Sequence, residues 1–231
     1  MKKNQHNKRN EELASAVVKG AVDRVYDLIM ANALLILFNI HILIFLLFFT
    51  PGSLFAFYFF TAVLLLNALP SYGALYYSLH AGREKTIYHR FFAGYQKMFK
   101  KTFLPGAVVS FFSMFVLLNG TFLTVMNLHP LYVVLQLAVI FLLFYVVALV
   151  PFMATEQGKM KGYRMALKEN FFRGILGSAA STLIIGGSLY LGRLIIFPVI
   201  LGFSLGALVQ EVIHKKTKAM DALRKNGKKK V

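Results

Sequence analysis

The sequence predicts an all-α integral membrane protein, a six-span helical bundle with an interfacial amphipathic helix after span 2. Three observations predict it. Long runs carry no charge: Leu28–Phe49 is 22 residues, Phe103–Met126 is 24 and Leu131–Ala154 is 24. At about 1.5 Å per residue, each matches or exceeds a hydrocarbon layer about 30 Å thick. The chain is 58% apolar and only 15% charged, where soluble domains carry about a quarter charged residues. Positive charge also alternates along the chain. Every Lys and Arg except Arg193 falls at the N-terminus, in two connecting segments or in the C-terminal tail, and the intervening connections are almost uncharged. That alternation places both termini on the cytoplasmic side of a cell membrane. Backbone groups in lipid must bond within their own segment, and nothing alternates as barrel strands do, so the spans are helices.

Residues 1–27 are predicted to form a cytoplasmic segment, residues 28–213 the transmembrane domain and residues 214–231 a basic cytoplasmic tail. Met1–Asn10 is polar and basic. From Glu11 to Asp27, Leu13, Val17, Ala21 and Val25 recur every fourth residue, which predicts a helix lying on the inner face of the bilayer. Span 1, Leu28–Phe49, is longer than a signal-peptide core and lacks an Ala-x-Ala exit, so it reads as a retained span. Thr50-Pro51-Gly52-Ser53 is a turn. Span 2 runs from about Leu54 to Leu79 and contains Pro70, which predicts a kink. His80–Thr102 then carries Arg83, Lys85, Arg90, Lys97, Lys100 and Lys101 against Glu84. Its apolar residues Ile87, Tyr88, Phe91, Phe92, Tyr95, Met98 and Phe99 fall at helical spacing, and this is the predicted interfacial helix.

Spans 3 and 4 are joined by Asn127–Pro130. Thr155–Arg173 repeats the basic theme, with Met160, Tyr163, Leu167 and Phe171 on one stripe. Gly174–Val209 is one over-long helix or two short ones. One helix would place the eight Lys and Arg residues between His214 and Lys230 outside, so the charge rule favours two, turning near Arg193–Pro198. Gly202 and Gly206, with Ser178, Ser181, Ser188 and Gly192, then predict a tightly packed hairpin of spans 5 and 6.

The net charge of +17 reads as attraction to anionic lipid headgroups, because no nucleic-acid motif accompanies it. The chain has no cysteine, which removes disulfides, thiolate chemistry and Cys-based metal sites. No nucleophile motif, metal motif or phosphate loop is present, so neither a catalytic site nor a cofactor is expected. The nearest constellation is His80, Glu84 and His89, which reads as a local salt bridge.

The polar residues within spans are Asn32, Asn39 and His41 in span 1, Asn67 in span 2, Asn119 in span 3 and Gln136 in span 4. They form either a polar path for a small solute or interhelical hydrogen bonds worth about 0.6–2 kcal/mol each. Every Asp and Glu lies in a loop or near a span end, which disfavours proton coupling through a buried carboxylate.

Span 2 and its exit read Leu69-Pro-Ser-Tyr-Gly-Ala-Leu-Tyr-Tyr-Ser-Leu79, then Arg83-Glu84, then Tyr88-His-Arg-Phe-Phe-Ala-Gly-Tyr-Gln-Lys-Met-Phe-Lys100. With Asp27-Leu-Ile-Met-Ala-Asn32, these stretches resemble the YesL family of small bacterial membrane proteins. The specific match covers roughly Asp27–Lys101, and it departs at Met98, where the family pattern has Asn. The family has no established biochemical activity. Its members accompany carbohydrate uptake systems, so the resemblance implies an accessory role near sugar import, with an ABC transporter as partner.

Two functional readings follow. In the first, the protein is a non-catalytic accessory of a membrane complex, and Arg83, Arg90, Phe91, Phe92, Tyr95, Phe99 and Lys100 contact the partner or lipid. In the alternative, it is a stand-alone transporter or channel for a small polar solute, using Asn32, Asn39, Asn67, Asn119 and Gln136.

Overall fold

The computed structural model describes residues 2–50, 52–82, 84–155 and 202–213, together with positions 176, 179–180, 183 and 215. Arg83, the basic segment after Thr155 and nearly all of predicted span 5 lie outside the described residues. The described chain is helical, with no strand among the described residues: α1 (Lys2–Phe38), α2 (Ile40–Phe48), α3 (Leu54–Leu65), α4 (Ala68–His80), α5 (Ile87–Val125), α6 (His129–Thr155) and α7 (Phe203–Ile213). Three stretches are long and apolar enough to cross a membrane: Leu54–His80, Ile87–Gly120 and His129–Pro151.

The bundle is organised around α4, in which Pro70 to Tyr76, Ser78 and Leu79 are all buried. Small residues make that possible, because they let neighbouring backbones approach closely. A Cβ placed on Gly73 would lie 2.7 Å from Met98 Cε, and one on Gly94 would lie 2.7 Å from Tyr77 Cδ1 and 3.2 Å from the Ala74 carbonyl. Helix α4 thus lies directly against α5. Around this contact, Leu28, Ala31, Leu34 and Leu35 of α1, Val150 and Met153 of α6 and Ala207 of α7 complete the core. Met98 is fully buried over Gly73, an apolar filling of that contact.

Two predicted elements run into their neighbours. The segment Ile87–Lys101 continues without a break into span 3 as the 39-residue α5, about 58 Å long along its path, with Pro105 inside it. The apolar face that predicted lipid contact packs on α4 instead, with Ile87, Phe91 and Met98 buried. Likewise the helix predicted on the inner face before span 1 is continuous with it, in the 37-residue α1.

The breaks have local causes. Pro70 sits in the first turn of α4, where its missing N–H costs nothing, but its ring excludes a helical carbonyl four residues earlier, at Leu66. The chain accordingly turns at Leu66–Asn67. The predicted kink at Pro70 is therefore an interruption between α3 and α4. Predicted span 1 is likewise divided, at Asn39. There Ile42 N–H bonds to the Asn39 carbonyl at 3.0 Å, leaving the Phe38 carbonyl without its usual partner. Asn127, in the turn between α5 and α6, adopts φ 56°, a left-handed conformation that Asn tolerates better than most residues.

Candidate functional site: a polar layer and two ion-pair clusters at one end of the bundle

The two helix interruptions face each other, and side chains repair them. The Phe38 carbonyl accepts from Asn67 Nδ2 at 2.7 Å. Asn39 Nδ2 donates to the Leu35 carbonyl at 2.8 Å and to Ser71 Oγ at 2.6 Å. Tyr95 O–H donates to Asn67 Oδ1 at 2.5 Å. His41 Nε2 lies 3.3 Å from the Leu64 carbonyl. Asn39 Oδ1 has no partner among the described residues. Asn39, Asn67, Ser71 and Tyr95 thus form one cluster, drawn from α1/α2, α3/α4 and α5.

The other predicted polar residues are not part of it. Asn32 Oδ1 accepts the Ser204 N–H at 3.2 Å, so it links α1 to α7. Asn119 Nδ2 bonds to the Phe115 carbonyl of its own helix at 2.8 Å. Gln136 lies in α6, which contributes no member to the cluster. The five amides proposed as one solute path are therefore divided among separate tasks. Gly202 and Gly206 are buried, and the helix they begin meets α1 through Ser204 and Asn32.

Among the predicted contact residues, Arg90 and Phe91 are interior: Arg90 is 5% exposed and Phe91 0%. Arg90 Nη2 grips both carboxylate oxygens of Asp27, at 3.0 and 2.9 Å. Its Nη1 donates to the Ser78 carbonyl at 2.8 Å and its Nε to the Lys85 carbonyl at 3.1 Å. Such a planar fork satisfies a buried carboxylate and two carbonyls together, which Lys could not do. Phe91 packs edge-on against Phe38, with centroids 5.2 Å apart. Both residues therefore hold α1, α4 and α5 together and are not available to a partner. Phe92, Phe99 and Lys100 remain exposed, and Tyr95 is half-buried in the amide cluster. Helical spacing alone placed all of these on one broad face, and it could not show that α4 covers its middle.

The second ion-pair cluster was missed from sequence. Glu211 is buried and receives Arg24 Nη2 at 3.1 Å, His80 Nδ1 at 3.6 Å and Lys215 Nζ at 2.6 Å. Arg24 Nη1 also donates to the Leu79 carbonyl at 3.2 Å. His80 therefore meets Glu211, not the Glu84 that sequence spacing had suggested. The Arg24–Glu211 pairing spans 187 residues of chain, so no local signal points to it.

Glu211 lies past the apolar stretch that ends at Val209. Burial pushes its carboxyl up, but contacts with His80 and Lys215 and the charges of Lys215 and Arg24 outweigh that and hold it at about 2. A carboxyl lowered from 4.5 contributes stability above that value, and loses it as pH falls toward 2. Acid unfolding should therefore show a loss beginning below pH 4.5, and Glu211→Gln should flatten that limb in a thermal-shift series. An unchanged acid limb in the variant would remove Glu211 from the account.

Lys97 and Lys101 lie at the end of α6. Lys101 Nζ donates to the Met153 carbonyl at 2.7 Å and Lys97 Nζ to the Ala154 carbonyl at 3.4 Å. Lys97 also lies over the Tyr77 ring, 4.8 Å from its centroid. Among the described residues no group of three His, Asp or Glu side chains could hold a metal ion. No protein-family model, characterised protein or solved structure matches the chain.

Proposed function

We propose that this chain is a non-catalytic multi-pass protein of the cell membrane that serves as an accessory to a larger membrane complex. The observation that carries this reading is an uncovered apolar stripe on α1. Val17, Val18, Val22 and Val25 are 71%, 62%, 61% and 51% exposed, on a helix that runs straight out of the bundle core. The stripe lies on the N-terminal side of Asp27, outside the apolar run that begins at Leu28. It needs a cover, and a helix of another membrane protein supplies one of matching chemistry. The polar end that carries Arg24, Arg90, Lys97, Lys101 and Lys215 faces the cytoplasm and its anionic headgroups on this reading. Six spans with both termini inside fit the charge pattern. The resemblance noted from the sequence adds the kind of complex, a carbohydrate uptake system with an ABC transporter. The solute-transport alternative is weaker, because only Asn39 and Asn67 of the five amides it requires fall in one cluster.

The test is site-specific photocrosslinking in cells from position 18 or 22. A stoichiometric adduct with one membrane protein, abolished by Val18→Ser with Val22→Ser, supports docking. Adducts with lipid alone, or with no protein at either position, would overturn it.

A further inference from the structure

Four passages of the chain are weakened at one level of the bundle. The first is the interruption between α1 and α2 at Asn39, and the second that between α3 and α4 at Leu66–Asn67. The third and fourth are Pro105 inside α5 and Pro151 inside α6. Contacts place them together. Asn67 Nδ2 reaches the Phe38 carbonyl, joining the first break to the second. A Cβ on Gly106 would lie 3.5 Å from Leu69 Cβ and 3.9 Å from the Leu66 carbonyl, so the second break is level with Pro105–Gly106. Lys101, whose carbonyl Pro105 cannot bond, reaches the Met153 carbonyl two residues beyond Pro151.

Each break removes a backbone hydrogen bond, and a softer side-chain bond from another helix replaces it at two of them. Asn67 serves the Phe38 carbonyl. Gln210 Nε2 serves the Val147 carbonyl at 2.8 Å, which is the group four residues before Pro151 and hence the one that proline leaves without its helical donor. Gln210 is itself held by Tyr72 O–H at 3.0 Å. Kinks in long helices arise at prolines and at such interruptions. A single break bends one helix against rigid neighbours. Aligned breaks let several bend together.

We infer that this layer is a hinge, about which the far half of the bundle tilts as a unit against the polar end. That far half comprises α2, α3 and the parts of α5 and α6 that meet at Asn127. The α2–α3 hairpin is built to move as one piece, since Phe45 stacks on Phe49 at 4.8 Å and Phe49 meets Phe60 at 5.4 Å. On the other side of the layer, the buried α4 and the Asp27–Arg90 pair keep the polar end rigid. A partner held at the polar end and a change at the far turns would thereby be mechanically coupled. The hinge does not depend on the docking reading, and it can be tested without a partner.

The absence of cysteine allows spin labels to be placed directly. Exposed pairs that straddle the layer are Phe92→Cys with Leu47→Cys, and Phe92→Cys with Val125→Cys. In lipid nanodiscs, pulsed electron–electron resonance should give broad or two-peaked distances for both pairs. Pro105→Ala with Pro151→Ala restores two backbone donors and should roughly halve the width for the second pair. A Val17→Cys with Phe92→Cys control pair, on α1 and α5 on one side of the layer, should stay narrow throughout. Single narrow distributions in the unsubstituted protein, or widths unmoved by the alanines, would overturn the hinge. If the label pairs report a disrupted bundle, recognised by a broad control pair, Thr86→Cys in place of Phe92→Cys gives the same comparison from outside the aromatic cluster, with the same deciding outcomes.

Discussion

Replacing Arg90 with Met should destabilise the protein by about 3–5 kcal/mol, because it takes the guanidinium from a buried carboxylate and the donor from the buried Ser78 carbonyl. The Asp27 side chain is only 10% exposed, and the part-buried Lys85 carbonyl also loses a donor. Arg90→Lys should recover only part of the loss, since an ammonium cannot reproduce the two-oxygen grip with both carbonyl bonds. Asp27→Asn added to Arg90→Met should be less harmful than the sum of the two changes, because the two side chains are in direct contact. Thermal unfolding in a mild detergent measures all three. A loss below about 1 kcal/mol for Arg90→Met would mean that the pair behaves as an exposed one, and the interior assignment of Arg90 would fail.

Phe91→Ala should cost about 3–5 kcal/mol, and Phe92→Ala much less. The two neighbours are chemically identical and one residue apart, yet Phe91 is 0% and Phe92 51% exposed. Removing the Phe91 ring leaves a cavity bounded by Phe38 and the α4 core, and neither solvent nor lipid can fill it. Removing Phe92 from the surface leaves no enclosed void. Lipid tails are as apolar as the side chain they would meet, so the contrast comes mainly from lost packing and less from water exclusion. Comparable losses for both variants would restore the reading in which the whole aromatic face is external. A partner-capture assay alone would not separate the cases, because an unfolded variant also fails to bind.

Asp27, Asn32, Tyr72 and Arg90 cross-link the polar end, through Arg90–Asp27, Asn32–Ser204 and Tyr72–Gln210. Those positions maintain an architecture, and none of them is exposed for chemistry on a substrate.

Much of the fold was legible because membrane insertion is governed by properties that run along the chain. Uncharged length identifies helices that can cross a bilayer, and Pro70 announced a local interruption by removing a donor and crowding a carbonyl. Helical periodicity likewise found the apolar faces of α1 and α5. What periodicity cannot say is what covers a face, since protein, lipid and a partner all accept the same side chains. Only the tertiary structure decided that α4 covers Phe91, that Arg90 turns inward to Asp27, and that no described residue covers the α1 stripe. Only it showed the break at Asn39 and matched Asn67 to the carbonyl freed at Phe38 and Gln210 to the one freed by Pro151. Sequence by itself determined which backbone bonds the prolines remove, because that is a local property of proline. Which side chains replace them depends on contacts between residues tens of positions apart, and those exist only once the helices pack.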